Sequence, residues 1–257
     1  MRYLWRVFKF AKHCFKATTI HGAHSPFLFK LFNQVFHAPF NKADKHQFQE
    51  YRIKKTRDTT TILFKEFGAG NNHDKRLTIG QLSRNSAINN REAKLLINIT
   101  RFLKPKSILE LGTSTGVSTN ALRIAAPDAT ITTIEGCGEL SNYIKSEWND
   151  SNTEFISSTF DSYFQTIKHN EKKWDLVYID GNHTFEATIN YYNILKSRHI
   201  EHETYIIFDD IYWSKEMFKA WEQISIDKAN SLTLDFYYLG IVFFSTKLTK
   251  QHFHINI

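Results

Sequence analysis

Short apolar segments alternate with helix-length segments through most of this chain, and this pattern constrains its fold more than any other feature. From about residue 107, runs rich in Ile, Val, Thr and Tyr recur between stretches long enough to form a helix. Such alternation is typical of a mostly parallel β-sheet that is covered by helices on both faces. The predicted strands are 107–112, 130–136, 153–158, 175–181, 204–210, 234–240 and 241–247.

The last two predicted strands follow one another with almost no linker at Gly240. So short a connection allows only an antiparallel pairing. We therefore predict an α/β fold with a doubly wound, seven-stranded, mostly parallel sheet that ends in an antiparallel C-terminal hairpin at its edge.

The beginning of the chain differs in charge from the remainder. Residues 1–60 contain 12 Lys and Arg against 3 Asp and Glu, whereas the rest contains 21 against 23. They also hold 12 of the 38 aromatic residues. We predict a basic, aromatic-rich helical extension over residues 1–80 and a sheet domain over residues 81–257.

Two helices are predicted within this extension. The first is a basic amphipathic helix, because apolar residues recur at helical spacing opposite a basic stripe. The second begins at Ser25 and Pro26, as an N-cap and a first-turn proline, and ends before Pro39. The apolar residues of the first helix are Leu4, Val7, Phe8, Ala11, Cys14 and Phe15, and the basic stripe is Arg2, Arg6, Lys9, His13 and Lys16.

The two cysteines, Cys14 and Cys137, have neither a disulfide-framework pattern nor a metal-site spacing. A reducing compartment is therefore the simpler interpretation. The sequence also contains no run of about 18 apolar residues, which is the length that a membrane-spanning helix needs. The sequence therefore predicts a cytoplasmic protein, with peripheral contact at a membrane as an alternative.

The first predicted strand ends in a turn that is typical of a cofactor site. The segment ILELGTSTGVST places Glu110, Gly112 and Gly116 in an E-x-G-x-x-x-G spacing before a helix that begins near Val117. Glycines let the backbone pass close to a ligand, although a plain strand-to-helix turn has the same appearance. Because Glu135 ends the second strand, where a carboxylate can accept hydrogen bonds from ribose hydroxyls, the pair favours an adenosine-type ligand.

The segment ILELGTSTGVST resembles the first motif of class I S-adenosylmethionine (SAM) dependent methyltransferases, which reads LE-x-G-T-x-T-G-x-S-T in the O-methyltransferases. The resemblance covers roughly residues 80–247 and implies a Rossmann-like methyltransferase fold with SAM as cofactor. It further implies that Ser118 reaches the methionine carboxylate and that Glu135 holds the ribose. The SAM site implied by position consists of Glu110, Gly112, Gly116, Ser118, Glu135, Ser158 and Ser86.

Three aspartates lie where the fourth and fifth strands end: Asp180, Asp209 and Asp210. Open α/β sheets bind ligands at that edge, and clustered carboxylates repel one another unless a cation or a proton neutralises them. All-oxygen ligands suit Mg²⁺ or another hard divalent cation, although aspartates in such places also cap helices. Resemblance to the metal-dependent small-molecule O-methyltransferases favours the metal, which in that family binds two acceptor oxygens.

One departure from that family concerns the general base. Some relatives carry an acid two residues after the first metal ligand, whereas this chain has Asn182, which cannot accept a proton. His183 is adjacent and titrates near neutral pH, so we predict His183 and Asp180 as the catalytic residues. The alternative is that His183 only hydrogen-bonds a ligand or the backbone.

The resemblance thus predicts an O-methyltransferase that acts on a hydroxylated small molecule. Two alternatives remain: methylation of RNA or protein, disfavoured because the D/N-P-P-Y signature of many amino-group methyltransferases is absent, and a non-catalytic SAM-binding scaffold or regulator. For the extension, the resemblance implies a lid or a homodimer contact. Its charge and aromatic residues also allow peripheral membrane contact and, less readily, nucleic-acid binding.

Overall fold

The computed structural model describes residues 2–17, 26–65, 74–167, 172–199 and 203–256. The predicted N-cap Ser25 and the glycine-containing loop at 68–70 lie outside these residues. The helices are α1 (Arg2–Lys16), α2 (Pro26–Leu31), α3 (Lys42–Arg57), α4 (Ile79–Ser86), α5 (Asn90–Leu103), α6 (Val117–Ala125), α7 (Gly138–Glu147), α8 (Phe160–Thr166), α9 (Phe185–Ile194) and α10 (Lys215–Ile226). The strands are β1 (Thr61–Phe64), β2 (Lys75–Thr78), β3 (Ser107–Leu111), β4 (Thr130–Glu135), β5 (Thr153–Ser157), β6 (Leu176–Ile179), β7 (Thr204–Asp209), β8 (Leu232–Asp235), β9 (Leu239–Phe244) and β10 (Gln251–His254).

The chain divides into two compact units, residues 30–166 and residues 1–29 together with 167–257. This division differs from the boundary near residue 80 that the composition predicts. The reason lies in α3, which packs against α4, α5 and α6 and so joins part of the basic extension to the first strands of the sheet domain.

In the unit of residues 30–166, β3, β4 and β5 pair in parallel in that order. The predicted strands are confirmed here because their apolar residues are buried, with Leu109, Leu111 and Ile134 fully inaccessible to solvent. Capping boxes start α4 at Thr78 and α5 at Asn89, which satisfies backbone N–H groups that a helix start leaves free. Strands β1 and β2 form a separate antiparallel pair.

In the other unit the strand order is β10, β8, β9, β7, β6. Strands β6 and β7 are parallel, and β9 is antiparallel to both β7 and β8. The mostly parallel α/β fold with antiparallel strands near its C-terminus is therefore confirmed. The expected place of the hairpin at the edge is wrong, because β10, a strand that the sequence did not predict, pairs in parallel with β8 beyond it.

The turn of the hairpin also lies elsewhere than predicted. Strand β8 ends at Asp235, the chain reverses over 236–238 with Tyr237 at φ 72°, and Gly240 lies within β9 opposite Asp235. A Cβ atom at Gly240 would lie 2.7 Å from the Trp221 ring, so this glycine is needed for close packing and not for the turn.

Helix α1 turns Arg6, Lys9 and His13 of its basic side toward the protein, and its apolar side faces outward. His13 is buried, and Lys9 Nζ lies 3.5 Å from the centroid of the Phe218 ring. In contrast, Phe8 is 67% exposed and Phe15 is 93% exposed. The predicted amphipathic pattern is present, but its apolar face is left accessible to solvent.

Within the described residues, no helix combines the length and the apolar character that crossing a bilayer requires.

Candidate functional site

The turn after β3 has the backbone conformation that its glycines predict. Gly112 has φ 113° and Gly116 has φ 76°, a region that residues with a side chain adopt at a cost. The Gly112 N–H donates to the carbonyl of Ile134 at 3.0 Å, which ties the turn to β4. Gly116 is the N-cap of α6, so the turn leads directly into a helix start whose N–H groups favour an anionic ligand.

The carboxylate of Glu135 is held in place at the end of β4 by backbone donors. Its Oε2 accepts from the Ser114 N–H and its Oε1 from the Cys137 N–H, both at 2.9 Å. Burial raises the pKa of Glu135, and these N–H groups oppose that shift because they stabilise the charged form. Each oxygen has a second lone pair, so the arrangement can accept hydrogen bonds from two ribose hydroxyls.

Glu110 occupies a different environment from Glu135, although both belong to the predicted SAM site. It is fully buried, and its Oε2 accepts hydrogen bonds from the hydroxyls of Thr119 at 2.5 Å and Thr133 at 2.6 Å. These bonds tie β3 to α6 and β4 beneath the turn. Contact between Glu110 and the cofactor remains a prediction.

The three predicted serines lie near the same strand ends. Ser86 Oγ is 2.9 Å from Ser114 Oγ, so the end of α4 touches the glycine-containing turn. The Ser158 N–H donates to the carbonyl of Glu135 at 2.9 Å, and Ser118 is buried in the first turn of α6. The structure therefore brings the predicted SAM-binding residues to the ends of β3, β4 and β5, where their roles remain predictions.

Tyr51 is a residue of this site that sequence reasoning missed. Its hydroxyl donates to the Thr115 carbonyl at 3.3 Å, and a Cβ atom at Gly116 would lie 2.6 Å from that hydroxyl oxygen. Tyr51 belongs to α3, in a polar segment that carries no motif, so the sequence offered no signal for its position. The close approach explains why residue 116 has no side chain.

We expect Gly116→Ala to destabilise the protein. The left-handed conformation costs about 1–2 kcal/mol for a residue with a side chain, and the contact with Tyr51 adds to this cost. Urea unfolding measures the change, and Tyr51→Phe in the Gly116→Ala background should recover only the steric part. Gly138→Ala is the control, because φ of Gly138 is not positive and a Cβ atom there would contact only the Ser157 hydroxyl, at 3.1 Å. Wild-type stability of Gly116→Ala would contradict this explanation.

Two of the predicted metal ligands share one hydrogen-bond donor. Tyr178 belongs to the buried strand β6. Its hydroxyl lies 3.0 Å from Asp209 Oδ2 and 3.4 Å from Asp180 Oδ2. Both carboxylates are half-buried. Asp210 follows β7 with φ 55°, and its N–H donates to Asp209 Oδ1 at 3.0 Å.

The carboxylate oxygens of these aspartates are suitable ligands for a hard cation, but they do not converge on one point. Among the residues that the structure describes, the oxygens of Asp180, Asp209 and Asp210 do not all lie within 4.8 Å of one another. Binding of one cation by all three aspartates therefore requires movement of these side chains.

His183 is paired with the first of these carboxylates. Its Nε2 lies 3.6 Å from Asp180 Oδ1. Burial lowers the pKa of His183, but the charges of Asp180 and Asp210 outweigh it, so the pKa is raised above its ordinary value. Asn182 lies between them in the left-handed conformation, which asparagine tolerates, and donates from Nδ2 to the Tyr191 hydroxyl at 2.8 Å.

Comparison with known proteins identifies the kind of domain to which these residues belong. The model of a methyltransferase domain family matches residues 109–211, which include Glu110, the glycine-containing turn, Glu135 and the three aspartates. Residues 109–211 therefore form a methyltransferase domain. No curated protein matches the chain at a significant level.

Solved structures share the fold of this methyltransferase at low sequence identity. An SAH-bound methyltransferase from Podospora anserina is 17% identical, with a TM-score of 0.52 over 80% of this chain and 97% of its own. An O-methyltransferase from Bacillus cereus in complex with SAH is 17% identical, with a TM-score of 0.50 over 62% and 83%. An O-methyltransferase of tomaymycin synthesis from Streptomyces achromogenes, in complex with SAM, is 16% identical, with a TM-score of 0.50 over 62% and 82%.

Proposed function

We propose that this methyltransferase transfers a methyl group to a hydroxyl oxygen of a small molecule with the help of a divalent cation. The observation that carries the proposal is the pairing of His183 with Asp180 in the same chain as a Glu135 carboxylate held by backbone donors. The pair of His183 and Asp180 can remove a hydroxyl proton, and Glu135 can hold the ribose of the methyl donor. The O-methyltransferases among the solved structures support this proposal through their fold.

SAM supplies an electrophilic methyl group when it is bound. Glu135 accepts the ribose hydroxyls, the turn at Gly112 and Gly116 lets the backbone approach the ligand, and the first turn of α6, with Ser118, receives the methionine carboxylate. Each of these groups positions the donor and takes no proton from the acceptor. Positioning of this kind supplies much of the rate enhancement in group transfer.

His183 is the proposed general base. Its Nε2 side faces Asp180, so the tautomer with a proton on Nε2 leaves Nδ1 free to receive the acceptor's hydroxyl proton. Asp180 then stabilises the imidazolium that forms, as carboxylates do beside catalytic histidines. A positioned base typically contributes about 10² to 10⁴ in rate.

Asp180, Asp209 and Asp210 are the residues that would hold a divalent cation such as Mg²⁺. The cation would act as a Lewis acid that lowers the pKa of the acceptor hydroxyl. It would also neutralise carboxylates that at present share the Tyr178 hydroxyl as a donor.

The test of the proposed function is incubation of the full chain with methyl-labelled SAM, Mg²⁺ and separate fractions of small molecules, RNA and protein from its source. We expect the labelled methyl group to appear on a hydroxylated small molecule. If it is attached to the oxygen as an ether, the label should not be released by mild alkali. Label in RNA or protein would support the rival enzyme, and tight SAM binding without transfer to any fraction would support the scaffold.

We further propose that the exposed apolar face of α1 contacts an anionic membrane surface, in place of the homodimer contact that the resemblance implies. Lys12 and Lys16 are exposed beside this face. They would repel the same residues of a second copy, whereas they would attract anionic lipid headgroups.

Among the aromatic side chains of α1 that the structure describes, Phe8 and Phe15 are the most exposed, and they make this contact testable. We expect the double variant Phe8→Glu, Phe15→Glu to reduce co-sedimentation with phosphatidylserine vesicles at least tenfold, because two apolar anchors become charges that the lipid repels. Ile53→Glu, which alters an exposed apolar residue of α3, should have a much smaller effect. Unchanged vesicle binding together with loss of self-association in ultracentrifugation would assign the face to a homodimer instead.

A further inference from the structure

Three side chains from distant parts of the sequence meet at one buried point of the unit formed by residues 1–29 and 167–257. They are His13 of α1, Asp235 at the end of β8 and His254 at the end of β10. One ligand-type atom from each lies within 4.8 Å of the other two. Within the part of the chain that the structure describes, this is the one group of three or more His, Cys, Asp or Glu side chains that meets so closely.

We propose that His13, Asp235 and His254 bind a divalent transition-metal ion of the Zn²⁺ type. The metal would be held by two imidazole nitrogens and one carboxylate oxygen, which is a donor set that selects zinc or a neighbouring transition metal over Mg²⁺. This site is distinct from Asp180, Asp209 and Asp210, whose oxygens suit a hard cation.

The pair formed by His13 Nε2 and Asp235 Oδ1 has the spacing of two ligands of such an ion, and a His254 nitrogen lies within 4.8 Å of both ligand atoms. His13 Nε2 lies 3.1 Å from Asp235 Oδ1, and His254 Nδ1 lies 3.3 Å from Asp235 Oδ2. Ligands about 2.0–2.1 Å from a tetrahedral zinc are roughly 3.3 Å from one another. Without a metal, His13 Nε2 donates a hydrogen bond to the backbone carbonyl of Asp235 at 2.9 Å, and binding of a metal by Nε2 would replace this proton.

Asp235 is oriented by donors that leave one oxygen open to a ligand. Its Oδ2 accepts from the Tyr212 hydroxyl at 3.0 Å and from Trp221 Nε1 at 2.9 Å, which uses both lone pairs of that oxygen. Its Oδ1 accepts from the Tyr237 N–H at 2.9 Å, so a lone pair remains on the side of His13. Donors of this kind orient metal-binding carboxylates in known sites.

His254 provides an independent sign that a ligand belongs here. Its Nδ1 is buried and makes no hydrogen bond of acceptable geometry to any residue in the described ranges, although Asp235 is near. A buried polar nitrogen without a hydrogen bond costs free energy, and coordination to a metal would remove that cost.

The three side chains also form part of the wall of a cavity of about 630 Å³. Lys9, Lys12 and Lys16 of α1 line the same cavity. The metal would therefore have three protein ligands and an open position toward the cavity, as in zinc sites that bind an exchangeable ligand. The lysines disfavour a free cation in this space and favour an anion, such as hydroxide or a carboxylate, as the fourth ligand.

The test uses the full chain, stripped of metal with a chelator and titrated with Zn²⁺ against a chromophoric chelator. We expect one tightly bound Zn²⁺ that millimolar Mg²⁺ does not displace, and at least tenfold weaker binding in His13→Gln and in His254→Gln. His252→Gln is the matched control, because His252 lies on β10 and lines the same cavity but bonds to Thr233 and not to Asp235. Its Zn²⁺ affinity should equal that of the wild type.

Co²⁺ gives a second measurement that does not depend on the folding of a variant. Wild-type protein loaded with one Co²⁺ should show the intense visible bands of a four-coordinate site, and circular dichroism and SAM binding report whether each variant is folded. Three results would each overturn the proposal: no stoichiometric Zn²⁺, the weak bands of octahedral Co²⁺, or a loss of Zn²⁺ affinity in His252→Gln equal to that in the other variants. The three side chains would then serve only to connect α1 to the strands. Asp209→Asn should keep the Zn²⁺ stoichiometry, so failure of the proposed Mg²⁺ dependence and failure of this site are distinguishable.

Discussion

Chelation of divalent cations is expected to abolish methyl transfer while SAM remains bound, and Mg²⁺ should restore the activity. The physical reason is that the predicted cation is held by Asp180, Asp209 and Asp210, whereas the predicted SAM-binding residues belong to the other unit of the chain. Without the cation the acceptor hydroxyl keeps its ordinary pKa, and His183 alone must remove its proton. Initial rates with labelled SAM and calorimetry with S-adenosylhomocysteine measure the two effects separately.

Single substitutions should separate the cation from the base. Asp209→Asn should reduce kcat by about 10³ or more, because it removes a negative charge that would hold the cation, while its amide oxygen can still accept from the Tyr178 hydroxyl. His183→Gln should cost about 10² to 10⁴ only if the imidazole is the base. Glu216→Gln is the control, since Glu216 is an exposed acid at the start of α10. Full activity in chelator would refute the cation and leave His183 with Asp180 as the complete catalytic pair.

Rescue also distinguishes the two proposed metals. Activity that returns with Mg²⁺ after chelation points to the aspartates, because His13, Asp235 and His254 form a nitrogen-containing set that Mg²⁺ binds poorly. Activity that returns with Zn²⁺ alone would contradict the assignment of the cation to the aspartates.

Replacement of Glu135 is expected to weaken SAM binding by about one to two orders of magnitude. Loss of hydrogen bonds to two ribose hydroxyls costs on the order of 1–3 kcal/mol. The Glu135→Ala variant should lose both these bonds and the anchoring of the turn through Ser114. Glu135→Gln should retain part of the affinity, because the amide keeps one acceptor oxygen.

Calorimetry with SAM and with S-adenosylhomocysteine measures this effect, and Glu139→Gln is the matched control on the helix that follows. Glu139 accepts from the Leu63 N–H at 3.1 Å, so its loss disturbs the contact with β1 and not Glu135. Unchanged affinity of Glu135→Ala would remove this residue from the cofactor site. The prediction does not depend on which acceptor the enzyme uses.

The sequence by itself determined strands β3 to β7 and the backbone conformation of the glycine-containing turn. Apolar runs such as SILELG and TYIIFDD become buried strands, because two-sided burial in a parallel sheet requires continuous apolar residues. Gly112 and Gly116 have the positive φ values that the motif implies. Glu135 and the three aspartates lie at strand ends because the strand boundaries fix those positions. Each of these features depends on residues that are close together in the chain.

The tertiary structure decided which distant segments meet. Tyr51 lies against Gly116, β10 pairs with β8, and His13 reaches Asp235 and His254 across more than 200 residues of sequence. Periodicity identifies the apolar face of α1, but the side of the helix that faces the protein depends on the partners available there. Asp235 and the Phe218 ring provide partners for a basic side, so the apolar side remains outside. Contacts of this kind depend on packing between distant elements, which no local pattern of residues encodes.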